Sequence, residues 1–261
     1  MKENIRFLVL WVGTKCSLRC KDCCNLIPYV QQESYNVNEI IDNLNYVTKD
    51  VKINLLQIQG GEPFTHKNID EIIQKCANNN NIDKIEIATN GTIMPNKKTI
   101  EIIKKNNKVS IRVSNYKCAE NSRIKIEKAL KKEGIDIEEY DFVYSTGEWY
   151  YLGSVDNERE KNLNEIKAIY SKCPNRSCWT LAKNYFATCG RMINLLTLKS
   201  KETIKNNNII DINELIESNI DFIDVYQEFE KRYNDNNNPS MLCGYCQKDF
   251  NKIPAAIQLL K

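Results

Sequence analysis

Three cysteines lie close together near the start of the chain, in the run CSLRCKDC at residues 16–23. The run follows the apolar segment Ile5 to Val12, which has the composition of a β-strand. Thiolates separated by three and then two residues can bind one iron-sulfur cluster from a single loop. Because Cys16, Cys20 and Cys23 supply only three thiolates, one iron stays free to bind a substrate or a cofactor.

A second motif follows the next strand-like segment. The apolar run Ile53 to Gln59 ends abruptly in Gly60-Gly61-Glu62-Pro63. Glycine has no Cβ, so two glycines in succession let the backbone approach a ligand closely. The segment therefore indicates a ligand-binding edge beside the predicted strand.

Together these motifs resemble the radical S-adenosylmethionine (SAM) superfamily, whose cluster loop reads Cys-x3-Cys-x2-Cys and whose second strand ends in a Gly-Gly-Glu-Pro-like segment. The resemblance implies that SAM binds the free iron through its amino and carboxylate groups. It also implies that Gly60, Gly61, Glu62 and Pro63 contact SAM. Reductive cleavage would give a 5'-deoxyadenosyl radical that abstracts a hydrogen atom from the substrate, while the protein positions the reacting groups.

Zinc and disulfides are the competing interpretations of the cysteines. Cys20-x2-Cys23 and Cys243-x2-Cys246 are pairs of the zinc-ribbon kind. Such pairs usually lie about 15 to 20 residues apart, whereas these two lie at opposite ends of the chain, which disfavours zinc. A disulfide framework is disfavoured because the chain has 11 cysteines, an odd number, and its N-terminus lacks the pattern of a signal peptide. We therefore expect reduced thiols in a cytoplasmic protein.

Length and charge limit the classes of protein. The chain has 261 residues, enough for one barrel-sized domain or for a barrel fragment with a small accessory domain. Its formal net charge of +3 comes from 37 basic and 34 acidic residues that are interspersed, which disfavours a nucleic-acid partner. No apolar run approaches membrane-spanning length. We expect a small-molecule substrate, with neither nucleic acid nor membrane as a partner.

Strand-like runs alternate with segments of helical period through the first two thirds of the chain. This pattern predicts a parallel sheet with crossover helices. The predicted strands are Ile5 to Val12, Ile53 to Gln59, Lys84 to Thr89, Val109 to Ser114 and Ile137 to Tyr144. The predicted helices are Asn38 to Lys49, Asn68 to Asn78, Lys98 to Asn106 and Asn121 to Glu133, with Asn38 and Asn68 as N-caps.

Unusual residues follow most of these strands, and in a (β/α) barrel that face carries the site. The resemblance implies an α/β fold, a partial (β/α)6 TIM-like barrel with a small C-terminal α+β domain. It also implies that Ser114 and Asn115 contact SAM and that Asn90 lines the cavity, although Asn-Gly is also a common turn.

Four further residues have simpler explanations. His66 is the only histidine and follows the Gly-Gly-Glu-Pro segment, where a lone histidine more often packs or starts a helix than catalyses. We expect Cys24, Cys76 and Cys118 to lie in the core as small apolar residues.

A second cysteine set begins after about Ser171, where the alternation stops. It resembles the Twitch module, a shortened SPASM domain in which a Cys, ten residues, Gly-x4-Cys and a distant Cys-x2-Cys hold one 4Fe-4S cluster. The resemblance implies a barrel at residues 1–170 and an auxiliary domain at 171–261. Asn184 takes the place of Gly in a left-handed turn, and we expect a strand pair from Tyr185 to Leu198. The implied cluster ligands are Cys173, Cys189, Cys243 and Cys246.

Two alternatives stay open for this set: Cys178 could replace Cys173, and the same four thiolates could hold a structural zinc. Cys178 would otherwise lie near the second cluster without a ligand role. It then either packs or acts as a catalytic residue that donates a hydrogen atom to a substrate radical. Arg176 is either solvated or pairs with an anionic group of the substrate.

The layout of the motifs is similar to that of the 2-deoxy-scyllo-inosamine dehydrogenases. Ile253 to Gln258 also resembles a segment of radical SAM proteins from cell-surface polysaccharide loci. These resemblances imply two 4Fe-4S clusters and SAM as cofactors, oxidation of a sugar or cyclitol alcohol, and a flavodoxin- or ferredoxin-type reductant. The alternatives are a sugar epimerase that uses Cys178, a peptide maturase, and an electron carrier or glycyl-radical activase.

Overall fold

The computed structural model describes residues 3–138, 147–157, 162–199 and 208–260. Its strands are β1 (Glu3–Trp11), β2 (Val51–Gln59), β3 (Ile82–Thr89), β4 (Val109–Val113), β5 (Glu148–Tyr150), β6 (Thr180–Ala182), β7 (Tyr185–Ala187), β8 (Ile209–Asp211) and β9 (Lys252–Pro254). Its helices are α1 (Val37–Thr48), α2 (Ile69–Asn78), α3 (Lys97–Lys105), α4 (Glu120–Lys132), α5 (Leu163–Lys172), α6 (Gly190–Lys199), α7 (Ile212–Glu217) and α8 (Phe222–Asn234).

Strands β1 to β4 form a parallel sheet in chain order, as the alternating pattern predicts. Leu8 pairs with Leu56, Ile58 with Ile87, and Ile87 with Ile111, so the strand centres form a continuous apolar layer. The crossover helices cover this layer with apolar faces. This arrangement confirms the predicted α/β fold.

The predicted fifth strand, Ile137 to Tyr144, is only partly described. Ile137 makes an isolated parallel bridge with Ile111 of β4, which places it at that edge of the sheet. Residues 139–144 lie outside the described part of the chain.

The segment after Ser171 continues the same sheet from its other edge. β6 pairs in parallel with β1, and β7 and β8 follow in antiparallel register. The full order is β4-β3-β2-β1-β6-β7-β8. The barrel strands and the second cysteine region therefore share one sheet, while the division at residues 170 and 171 stays a proposal.

The end of the chain returns to the first cysteine loop. β9 pairs with β5 in a separate antiparallel ribbon. Beyond it, Lys21 N–H donates to the Ile257 carbonyl at 2.8 Å, and Leu259 N–H donates to the Arg19 carbonyl at 2.7 Å. Residues 255–260, which we call the C-terminal strap, thus lie along the cysteine loop.

The predicted strand pair from Tyr185 to Leu198 is wrong. The hairpin is β6 and β7, and α6 begins at Gly190, with its first six residues all buried. The left-handed residue of the hairpin turn is Lys183, with φ of 51°, rather than Asn184. Asn184 instead donates its side-chain N–H to Asp211 Oδ1 at 2.5 Å.

The predicted N-caps need one correction. Asn36, two residues before Asn38, caps α1, because its side-chain oxygen accepts from the N–H groups of Asn38 and Glu39 at 2.9 Å and 3.4 Å. Asn68 holds the N-cap position of α2 without a side-chain capping hydrogen bond. Among the described residues, no helix combines the length and the apolar character that a membrane span requires.

We predict that Asn36→Ala lowers the free energy of unfolding by about 1 kcal/mol, because two N–H groups of the first turn lose their acceptor. Urea denaturation followed by circular dichroism measures the change. Asn38→Ala is the matched control, since Asn38 is exposed and caps nothing. An equal loss in both variants would contradict the assignment of the cap.

Candidate active site

The cysteine loop and the Gly-Gly-Glu-Pro loop meet at the carboxyl ends of β1 and β2. Gly61 N–H donates to the Gly13 carbonyl at 3.0 Å, and Glu62 N–H donates to the Lys15 carbonyl at 2.8 Å. Gly60 has φ of +138°, and a Cβ there would lie 2.2 Å from the Gly13 oxygen. A Cβ on Gly61 would lie 2.2 Å from the Lys15 oxygen. The two glycines therefore allow the backbone to touch the base of the cysteine loop itself.

The Glu62 carboxylate is buried directly beneath this junction. It accepts from Asn90 N–H at 2.7 Å, from the Thr89 hydroxyl at 2.9 Å and from Phe64 N–H at 3.1 Å. Burial raises the pKa of Glu62 to about 7, while the hydrogen bonds from Asn90, Phe64 and Thr89 act in the opposite direction. The carboxylate thus ties the end of β3 to the loop after β2.

The Asn90 side chain continues this network to the cysteine loop. Its Nδ2 donates to Ser17 Oγ at 3.0 Å and to Cys16 Sγ at 3.7 Å. Its Oδ1 accepts from Thr92 N–H at 3.0 Å, which fixes the orientation of the amide. Asn90 is therefore a donor to one of the predicted cluster ligands.

A cavity of about 190 Å³ opens beside the cysteine loop. Four thiols line it, those of Cys16, Cys20, Cys23 and Cys24. Aromatic side chains form another part of the lining, and the rings of Tyr116 and Trp149 meet edge to face with centroids 5.4 Å apart. Other residues that contribute to the lining are Gly60, Gly61, Asn90, Ser114 and Tyr150.

Sequence reasoning missed a buried polar group in this cavity. Arg112 on β4 lines it and donates from Nε to Glu86 Oε1 at 3.1 Å. Gln57 Nε2 donates to the same oxygen at 2.5 Å, so three neighbouring strands contribute to one group. Charged residues within the apolar runs of β3 and β4 were the available signal, since buried charges need partners.

The three predicted cluster ligands of the first loop lie close together. Burial raises the pKa of Cys16 to about 11 and that of Cys20 to about 12, and the neighbouring thiols add to both shifts. Burial also raises the pKa of Cys23. A coordinating thiol is deprotonated by the metal it binds, so burial does not oppose ligation. Three sulfurs at one cavity, beside a polar loop edge, fit a cluster with one open iron.

The second cysteine set surrounds a separate, mainly apolar cavity lined by Cys173, Cys189, Cys243 and Cys246. Burial raises the pKa of Cys173 to about 12 and raises those of the other three thiols. Cys178 is not part of this lining. Among the described residues, no three His, Cys, Asp or Glu side chains are placed to hold a single metal ion.

Helix α6 connects the two cysteine sets, since it begins directly after Cys189. The buried Arg191 donates to the Cys24 carbonyl at 3.2 Å and to the Gly153 carbonyl at 2.9 Å. Asn194, one turn further, donates to the Asn25 carbonyl at 2.6 Å. Helix α6 thus holds the end of the first cysteine loop in place and directly follows Cys189 of the second cysteine set.

The predicted SAM contacts fall into two groups. Gly60, Gly61, Asn90 and Ser114 line the first cavity. Glu62, Pro63 and Asn115 do not line it, and Glu62 supports the loops from below. The contacts of all seven residues with SAM stay predictions.

The remaining thiols and the single histidine differ in their burial and in whether they line the first cavity. Cys76 is buried in the core as expected, but Cys118 is exposed and Cys24 lines the cavity. Cys178 is near Cys24 without lining the cavity. His66 Nδ1 accepts from Asn68 N–H at 3.1 Å and Nε2 contacts the Tyr35 carbonyl at 2.9 Å, which is a packing role at the start of α2.

The fold and this pair of cysteine sites define a class of protein. Residues 12–137 match the family model of the radical SAM superfamily. This segment has the sequence of a radical SAM domain. The family implies a 4Fe-4S cluster and SAM. We expect Cys16, Cys20 and Cys23 to be the protein ligands of that cluster.

Individual relatives match different parts of the chain. The GTP 3',8-cyclase of Desulforamulus reducens is 32% identical over 93 residues, which is 35% of this chain and 29% of the cyclase. That of Clostridium acetobutylicum is 32% identical over 94 residues and 30% of its length. The crystal structure of BtrN in complex with AdoMet and 2-DOIA covers 96% of this chain and 98% of its own, with 14% identity and a TM-score of 0.53. The cyclases thus share a segment, and BtrN shares the fold.

We predict that Glu62→Gln lowers the free energy of unfolding by roughly 1–3 kcal/mol. The new amide NH2 must face one of the three donors around position 62, which leaves a buried donor without an acceptor. Urea denaturation of the metal-free protein measures the loss.

Glu101→Gln is the control for this prediction, since Glu101 is exposed on α3. A loss in Glu62→Gln no greater than that in Glu101→Gln would show that the carboxylate does not hold the two loops together.

Proposed function

We propose that this chain is a radical SAM dehydrogenase that oxidises an alcohol group of a sugar or cyclitol. In this proposal an auxiliary 4Fe-4S cluster in a Twitch-like domain accepts an electron from the substrate. Its ligands are the second cysteine set, Cys173, Cys189, Cys243 and Cys246. Residues 1–170 form the barrel domain and residues 171–261 the auxiliary domain.

One observation carries this proposal: the two cysteine sites adjoin one another. Asn175 contributes to the lining of both cavities, and Pro174, the residue after Cys173, lines the first. A substrate in the first cavity would therefore lie between the two thiol sets. Adjoining sites of this kind would favour electron transfer from a substrate radical to the second site.

The lining of the first cavity favours an uncharged ring as the substrate. Trp149, Tyr150 and Tyr116 offer flat apolar faces with polar groups at their edges, which suit the C–H faces and hydroxyl groups of a sugar. Arg112 is the one cation among the described lining residues, and Glu86 already neutralises it. A nucleoside triphosphate needs several cations, so the substrate named for the cyclase relatives is disfavoured.

When bound, SAM and its cluster would supply the radical chemistry that removes a hydrogen atom from carbon, and loss of the hydroxyl proton and of one electron to the second site would leave a ketone. The protein positions these groups. Gly60, Gly61 and Ser114 would border SAM, and Glu62, Pro63, Asn90 and Asn115 would keep that edge in place. The aromatic residues bind the ring of the substrate and exclude water from the cavity.

Two alternatives differ in what happens to the substrate radical. An epimerase would return a hydrogen atom from a thiol. The sequence suggests Cys178 for that role, but Cys24 is the spare thiol that lines the cavity. The second alternative is a peptide maturase. We further propose a flavodoxin- or ferredoxin-type reductant and a cytoplasmic location, since all eleven cysteines are free and iron-sulfur sites require a reducing compartment.

We predict that anaerobically reconstituted, reduced protein releases 5'-deoxyadenosine from SAM, and that Cys16→Ala, Cys20→Ala or Cys23→Ala each abolishes the release. Chromatography of the product measures it. Cys76→Ala is the matched control, because Cys76 is a buried thiol outside both sites and its loss should leave turnover in place.

Candidate sugars and cyclitols then separate the alternatives by their products. Dehydrogenation is supported if Cys24→Ala and Cys178→Ala both form a ketone at the rate of the wild-type protein. An inverted alcohol that disappears in either variant supports epimerisation. Protein that carries iron but releases no 5'-deoxyadenosine would contradict both and favour an electron carrier.

We predict that Cys173→Ala removes about half of the bound iron and that Cys178→Ala removes none. The reason is that, of these two cysteines, Cys173 lines the second cavity and Cys178 does not. Iron, zinc and sulfide analysis of the purified variants measures this. Equal iron loss in both variants would overturn the ligand assignment, and stoichiometric zinc with iron at one cluster only would overturn the auxiliary cluster.

A further inference from the structure

The C-terminal strap places one side chain directly on the first cysteine loop. Gln258 Nε2 donates to Cys20 Sγ at 3.3 Å. The same nitrogen lies 3.7 Å from Cys118 Sγ and 2.7 Å from the Ala256 carbonyl. Gln258 Oε1 accepts from Arg19 N–H at 2.8 Å. A residue almost at the end of the chain therefore contacts a predicted cluster ligand and its neighbour.

The orientation of this amide follows from its partners. Arg19 N–H can only donate, so the oxygen of Gln258 must face it. The nitrogen then necessarily faces the sulfur of Cys20. The amide thus presents a hydrogen-bond donor to the thiol in either protonation state of that thiol.

The backbone of the strap holds the amide in place on both sides. Lys21 N–H donates to the Ile257 carbonyl and Leu259 N–H donates to the Arg19 carbonyl, and Cys20 and Gln258 form an antiparallel bridge. Before them, the buried Ala256 adopts the left-handed conformation with φ of 56°, which a residue with a Cβ adopts only when its surroundings require it. The strap is therefore held against the cysteine loop by its own backbone hydrogen bonds.

We propose that Gln258 is a positioning residue that tunes the reduction potential of the SAM-binding cluster through its hydrogen bond to Cys20. The inference depends on the cluster of the proposed function. Hydrogen bonds to ligand sulfurs withdraw electron density and stabilise the reduced cluster. The strap would thereby make the cluster easier to reduce and orient the loop that carries it.

Three variants test this inference. Gln258→Leu removes all the hydrogen bonds of the side chain, including those with Arg19 N–H and Cys20 Sγ. Gln258→Glu keeps the acceptor for Arg19 N–H but places an oxygen against the sulfur. Leu260→Ala is the control, since Leu260 is 98% exposed and lies in the same strap. Thermal melts followed by circular dichroism establish that each variant is folded.

The principal readout is the midpoint potential of the cluster, from redox titration of the electron paramagnetic resonance signal that changes when SAM is added. We expect a shift to more negative potential in Gln258→Leu, a larger shift in Gln258→Glu, and none in Leu260→Ala. Loss of iron from both Gln258 variants, with the control fully loaded, also supports a positioning role.

Unchanged potentials and iron contents in the Gln258 variants would overturn the inference while leaving the proposed function in place. Wild-type protein that binds no iron at Cys16, Cys20 and Cys23 would instead overturn the proposed function. The two failures are therefore distinguishable in a single set of preparations.

Discussion

The candidate site depends on the contact between two backbones, that of Gly60 and Gly61 and that of Gly13 to Lys15. Two N–H groups of the second loop donate to carbonyls at the base of the first, at 3.0 Å and 2.8 Å. No side chain fits between them, because a Cβ on either glycine would lie 2.2 Å from a carbonyl oxygen. This contact sets where the cysteine loop leaves β1.

Other parts of the chain then support the cysteine loop from different sides. Asn90 contacts Cys16 from the end of β3, Arg191 holds the Cys24 carbonyl from α6, and Gln258 contacts Cys20 from the C-terminal strap. These supports lie far apart in the sequence. The loop is therefore positioned by the whole fold, and α6 connects its position to that of the second cysteine set.

Local spacing was sufficient to predict strands β1 to β4 and their crossover helices, since these patterns repeat over short distances. Prediction failed where tertiary packing decided the outcome. Residues 190–199 are helical, and the first six of them, Gly190 to Leu195, are buried within the fold. The cap of α1 lies at Asn36 because the helix starts earlier than its apolar period suggested. Cys24 lines the first cavity instead of lying in the core, and Cys178 lines neither of the two cavities.

By itself, the sequence determined that a three-thiol loop and a Gly-Gly-Glu-Pro segment follow neighbouring parallel strands, and that four more thiols follow later. Only the tertiary structure decided that the two thiol sets line neighbouring cavities, that Arg112 lines the first cavity while paired with Glu86, and that Gln258 contacts Cys20. The physical reason is that ligand spacing is a property of a few consecutive residues. Contacts between distant segments depend on how the complete sheet and its loops pack.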